Sequence, residues 1–311
     1  MKRRARAGLW IAGAIALVGA CADLIASDLP LLARLEGELW ILPCLTHPAA
    51  LSGDDNQSLE ARAGSRDFVL APPIPYGPEA QHPGGATVVL AAPSGRHWLG
   101  TDDRGRDVAA RLVHGARTAL LVGPLAVLLA LFVGAALGAA CALGRSADLI
   151  LGRLIEVGLS FPLLLFLLAL QGLVGGSSLV EVALVLALAW WPHFARMARA
   201  ESLRAAASPH VEAARALGAS PVRLALRHVL PLAAGPLLTA AAFAVGQAIL
   251  VESALTFLGF GVPAPRATWG ELLSQAQVAG LRANLLLPPA LMIALTVLAG
   301  QLLGESKEEG S

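Results

Sequence analysis

Three sets of side chains in this chain are of a type that can do chemistry. His97, Asp102, Asp103, Asp107 and His114 are the ligand types of a metal or hydrolase centre. That chemistry needs the groups to converge, whereas their spacing scatters them along the chain and arginines at 104, 106 and 111 interleave. Glu156, Glu181, Glu252 and His193 sit in or beside strongly apolar stretches, where ionisable groups serve proton relays. None of the three acids is near the middle of an apolar run, and matched broken helices in the two halves are lacking, which argues against a proton-coupled carrier. Cys21, Cys44 and Cys141 show no C-x-x-C spacing, so neither a thiolate metal site nor a fully paired disulfide set is indicated. The G-x-S-x-G and H-E-x-x-H patterns do not occur. Only Lys2 and Lys307 are lysines, which excludes a phosphate-cradling G-x-x-x-x-G-K-[ST] loop within the body of the chain.

The elements that must position these groups are membrane helices. Of 311 residues, 56% are hydrophobic and 14% charged, and mean hydropathy is +0.67. A soluble domain carries about 25% charged residues. Positions 118–144, 157–180 and 283–304 hold no charge at all, and roughly 20 residues of helix span a hydrocarbon core. A soluble enzyme is excluded. A net charge of +1 likewise offers no basic surface for nucleic acid.

The apolar runs predict an all-α membrane protein with six transmembrane helices, at about 7–26, 118–144, 154–175, 178–195, 231–256 and 284–303. Pro162 and Pro192 interrupt two of them and are expected to kink them. Arginines cluster in the N-terminal tail, at 145 and 153, and at 196, 199, 204, 215, 223 and 227, whereas the loop at 174–177 has none. By the positive-inside rule both termini are cytoplasmic. The segment Lys2-Arg3-Arg4 with Val18-Gly19-Ala20-Cys21 also has the form of a cleaved lipoprotein signal, but apolarity continues through Ile25 and Ala26, so a retained helix is the reading. The chain divides into a tail and first helix (1–26), a long outer loop (27–116), a five-helix core (117–303) and a C-terminal tail (304–311).

Within the outer loop, the run Pro72 to Pro78 predicts extended chain and turns without an independent core. Thr101 is placed to cap a short amphipathic helix at the membrane surface, with Asp102–Arg106 and Asp107–Arg111 as i,i+4 pairs. On the inner side, Ser208-Pro209 and Ser220-Pro221 each read as a cap and first helical residue, with Gly218 as a left-handed stop between them. The predicted helix-turn-helix at 208–231 carries Val211, Ala213, Ala214 and Leu217. Such a face suits a groove in another protein or packing on lipid and its own bundle; patterning alone leaves both open.

Glu212-Ala213-Ala214, Gly218 and Leu230-Pro231 match the E-A-A–x3–G–x11–L-P signature, and in this the chain resembles the membrane subunits of ATP-driven, binding-protein-dependent importers, with His228 where many of them have isoleucine. The passages 97–108, 252–261 and Trp269-Gly270 are similar to the dipeptide/oligopeptide/nickel branch, and 24–32 with 72–76 to its long-loop members for larger or modified peptides. The resemblance implies a type I importer fold and half of a translocation pore in a bacterial inner membrane. It assigns ATPase coupling to Glu212, Ala213, Ala214, Leu217, Gly218, Leu230 and Pro231, and a periplasmic motif to Gly100, Thr101, Asp102, Asp103, Gly105, Arg106 and Asp107. It further implies a second permease subunit, two cytoplasmic ATP-binding subunits that hold the ATP and magnesium, and a periplasmic or lipid-anchored solute-binding protein. No cofactor and no catalytic residue is expected in this chain. The implied cargo is peptide, with nickel as the alternative.

Overall fold

In the computed structural model, residues 3–64, 67–81, 88–175 and 178–308 are described. Lys2, positions 176–177 of the 174–177 loop and the end of the C-terminal tail lie outside them. In chain order the elements are α1 (Arg3–Ala20), α2 (Ala22–Ile25), β1 (Leu32–Leu35), β2 (Glu38–Ile41), α3 (Pro43–Thr46), α4 (Asn56–Arg62), β3 (Phe68–Leu70), α5 (Val108–Cys141), α6 (Arg145–Leu159), α7 (Leu163–Val174), α8 (Leu179–Ala206), α9 (Pro209–Ala216), α10 (Pro221–Leu224), a π turn (Ala225–Val229), α11 (Leu230–Phe257), α12 (Trp269–Val278) and α13 (Ala283–Glu308).

Among the described residues, four helices are long and apolar enough to cross a membrane: α5, α8, α13 and the continuous Pro221–Phe257 rod that ends in α11. The third expected span is different. It is the pair α6 and α7, bent by 87° at a break where Pro162, in extended conformation, precedes α7. Proline disfavours helix for the residue before it and removes a donor, which explains the break. Counting the bent pair as one span gives up to five. The helix expected at 7–26 is present as α1 and α2 with an interruption at Cys21, but three of the 18 residues of α1 are arginines, so it is not one of the long apolar helices.

The chain forms two compact units. The first comprises Met1–Trp10, Val122–Glu252 and Thr296–Ser311. Its core packs Val127 and Ala130 of α5 with Ala187, Trp190 and Phe194 of α8 and Ala248 of α11. Arg199 of α8 grips Asp148 of α6 through two hydrogen bonds of 2.6 and 3.0 Å. Helices α1 and α13 meet here: Arg4 reaches Glu305 at 3.4 Å, and α1 touches α13 at Gly8, where a side chain would collide with Leu302. Helix α8 runs past the expected end of the fourth span at 195 and continues to Ala206, with Arg196, Arg199, Glu201 and Arg204 on the added turns.

The second unit comprises Ile11–Leu121 and Ser253–Leu295. It overturns the expectation of a coreless loop. Strands β2-β1-β3 form an antiparallel sheet in which Ala33 pairs with both Trp40 and Val69. The inward side chains Ala33 and Leu35 join Leu29, Cys44, Leu51 and Leu59 in a buried cluster. Alternation in β1 is short, and an arginine interrupts its outer face, so the strand signal spans only four residues. Helix α4 is set by a capping box between Asp55 and Ser58, and Asn56 ties the cluster back to the carbonyl of Ser27 at 2.8 Å.

Candidate functional site

The segment 208–231 folds as its residues dictate. Ser208 and Pro209 begin α9, although the Ser208 hydroxyl bonds back to the carbonyl of Ala205 at 2.6 Å rather than capping forward. At the other end Gly218 has φ +85°. Its N–H donates to Arg215 O at 3.0 Å and that of Ala219 to Ala214 O at 3.1 Å, the paired bonds of a Schellman stop. The Ser220 hydroxyl then accepts from the N–H of Arg223, opening α10, and the π turn feeds α11 at Leu230-Pro231.

Burial divides the expected docking face. Val211 is fully buried in a cluster with Ala205, Leu224 and Val229, with Ala214 packed against it, so these two anchor α9 rather than present it. Glu212, Ala213 and Gly218 are exposed, and Leu217 is 88% exposed. Val222 and Leu226 are exposed as well. An isolated exposed leucine is ordinary, but Leu217, Val222 and Leu226 leave three large apolar side chains exposed within ten residues of chain, close in sequence to Glu212 and Arg215. Leu230 and Pro231 are not part of that stretch; they start the long helix that would transmit its movement.

In the second unit the residues 97–107 do not begin a helix. Thr101 bridges Asp107 across a tight turn, with Gly100 and Gly105 at φ +77° and +76°. Helix α5 starts only at Val108 because Asp107 is its cap: Oδ1 accepts the N–H of Ala110 at 2.8 Å. Asp107 Oδ2 meets His97 Nδ1 at 2.8 Å, and the His97 ring stacks on Tyr76 at 4.6 Å. Burial, and then the charge of Asp107, push the Tyr76 hydroxyl above its ordinary pKa. The expected Asp107–Arg111 pair is thereby replaced.

The Asp102–Arg106 pair does form, but buried. Asp102 Oδ1 accepts the N–H groups of Arg104 and Arg106 at 2.9 Å each, and Oδ2 accepts Arg106 Nε at 2.7 Å. Arg106 also reaches Glu271 at 3.1 Å. Arg111 pairs with Glu271, lies 3.6 Å from Asp102, and donates to the carbonyls of Pro78 (2.6 Å), Pro265 and Arg266 (3.3 Å each). Two carboxylates thus face two guanidiniums with no net charge. Asp103 stands apart, partly exposed and 4.0 Å from Arg106. The cluster clamps three stretches of backbone together. Glu271 is the member that motif reading missed, along with Asn284, which holds Leu99 O at 2.8 Å. The available signal was Thr268-x-x-Glu271, a helix-start pattern, and the Thr268 hydroxyl does accept the N–H of Glu271 at 3.0 Å.

Comparison with known proteins then fixes the family. Residues 126–306 match the family described as binding-protein-dependent transport system inner membrane component. A putative peptide permease protein of Brucella suis biovar 1 is 38% identical over 248 residues, covering 76% of this chain and 80% of its own length. The dipeptide transport system permease protein DppC of Alkalihalophilus pseudofirmus is 36% identical over 218 residues, 70% and 71% of the two chains. In fold the chain resembles a chain of the inward-facing MetNI methionine ABC transporter, with a TM-score of 0.55 at 20% identity over 64% of this chain and 95% of that one. The chain belongs to the family of inner membrane components of binding-protein-dependent ABC importers.

Proposed function

We propose that this permease carries peptides, that it works beside a second permease subunit with a solute-binding protein on the outer side, and that ATP is bound and hydrolysed with magnesium by two cytoplasmic subunits, one of them seated on α9 and the other on the second permease. The peptide cargo is supported by relatives named as peptide and dipeptide permeases that share more than a third of their aligned residues with it. The observation that carries the coupling is the hairpin itself. Helix α9 is held from below by Val211, stopped by a Schellman turn, and leaves Glu212 and Leu217 free. A helix so built transmits displacement rather than absorbing it, and α10 and the π turn connect it to the α11 rod. Closure of the ATPases then favours one pore state over the other only to the extent that α9 binds them differently in each. In this reading both termini and the arginine-rich segment 196–227 are cytoplasmic, and the clamp of Asp102, Arg106, Arg111 and Glu271 lies outside.

The test is ATP-dependent uptake by the purified complex in liposomes. Glu212→Lys and Gly218→Val are expected to assemble yet lose uptake by about tenfold or more, since each corrupts the docking geometry. Uptake equal to wild type in both variants refutes the coupling. Competition of a labelled dipeptide by unlabelled dipeptide but not by nickel ions decides the cargo.

A further inference from the structure

We propose that a cleft between α8 and α11 is a substrate subsite, receiving one apolar side chain of a peptide in transit while Gln247 and His193 hydrogen-bond the adjoining peptide group. The proposal rests on the peptide reading above and adds the place of contact. The cleft has a volume of about 300 Å³, with Trp190, His193 and Met197 on the α8 side and Phe243, Ala244 and Gln247 on the α11 side.

Depth is the first argument. Gln247 is about 5 Å from the midpoint of the apolar run 231–256 at 1.5 Å per residue, and His193 lies toward the inner end of the fourth span, three residues before Arg196. Both side chains are exposed. An exposed carboxamide facing hydrocarbon would cost several kcal/mol. This wall therefore faces water, a polar ligand or the second permease subunit rather than lipid, and polar groups within the membrane mark solute pathways.

Shape and chemistry narrow the ligand. About 300 Å³ is the lower bound of small-molecule sites, room for a bulky side chain with its peptide group but not for an extended oligopeptide. The walls are aromatic and thioether; methionine adapts to differently shaped apolar groups, as a carrier of varied sequences requires. A carboxamide both donates and accepts, matching the N–H and C=O of one peptide bond. The Phe243 ring is backed by α13, occupying the space a side chain at Gly304 would need, so the cleft has a firm floor.

The experiment compares uptake of Ala-Phe and Ala-Ala by the full complex in liposomes. Ala244→Leu fills the cleft and is expected to lower Ala-Phe uptake about tenfold relative to Ala-Ala, the discrimination a filled apolar pocket supplies. A Gln247→Cys variant reports exposure independently of that substitution. Because Cys44 and Cys141 are buried, modification by a charged, membrane-impermeant thiol reagent above the parent chain's level reads position 247. Modification that Ala-Phe slows supports the subsite. An unchanged uptake ratio, or a position 247 closed to the reagent as at a sealed contact between two permeases, overturns it. If the wild-type complex carries neither dipeptide, the peptide reading itself falls and takes the subsite with it.

Discussion

Glu271 is the side chain whose loss is felt most sharply in the buried ion cluster. Glu271→Leu leaves Arg106 and Arg111, both fully buried, with Asp102 as their shared counter-charge. Breaking a buried pair in this way costs about 3–5 kcal/mol, which will show as a clearly lower thermal unfolding midpoint in detergent. Asp103→Ala removes a partly exposed acid 4.0 Å from its arginine and should change that midpoint little, by about 0.5 kcal/mol or less. At Gly218, an added side chain must sit at φ +85°, a strain of about 1–2 kcal/mol; circular dichroism of Gly218→Ala should report a frayed α9 while the long helices persist. Residue-level reading from sequence was accurate where neighbours alone decide the outcome. Gly218 as a left-handed stop follows from local spacing; the Asp102–Arg106 pair forms too, but buried across a tight turn and not on the exposed helix that the i,i+4 spacing implied. The Asp107–Arg111 pair failed because long-range partners competed: His97 and the cap of α5 took Asp107, and Glu271, 160 positions away, took Arg111.

Elements were legible in proportion to their length. The long uncharged runs announce α5, α11 and α13 without ambiguity, since nothing but helix satisfies their backbones in lipid. Four-residue strands and single helical turns carry too little periodicity to be seen, so the small sheet and its cluster were hidden in what reads as proline-rich loop. That cluster makes its own prediction. Leu59→Ala should cost about 2–5 kcal/mol locally, and hydrogen exchange should accelerate at the β1 amides while α8 stays protected. Cys44 offers a second readout. Burial, and then the negative charge of Asp23, push its thiol up, so at pH 8 it should resist thiol reagents in the parent chain and react in Leu59→Ala. The bend between α6 and α7 was foreshadowed by Pro162, but its angle of 87° was not, because proline marks where a helix yields and not how far.

For the molecule as a whole, charge asymmetry predicts that tags at both ends are inaccessible from outside the cell, and that intact spheroplasts shield them from protease until the membrane is opened. A C-terminal tag digested in sealed spheroplasts would reverse that orientation. The contact between Arg4 and Glu305 bears on the same question by a different route. A thread whose two ends lie together on one side of a wall has pierced it an even number of times. Four long helices satisfy this parity, as do six, when α1 and the bent α6–α7 pair are each a crossing; five does not. One surface ion pair of negligible energy thus ties the fate of the arginine-bearing first helix to that of the broken third one: both traverse the bilayer, or neither does.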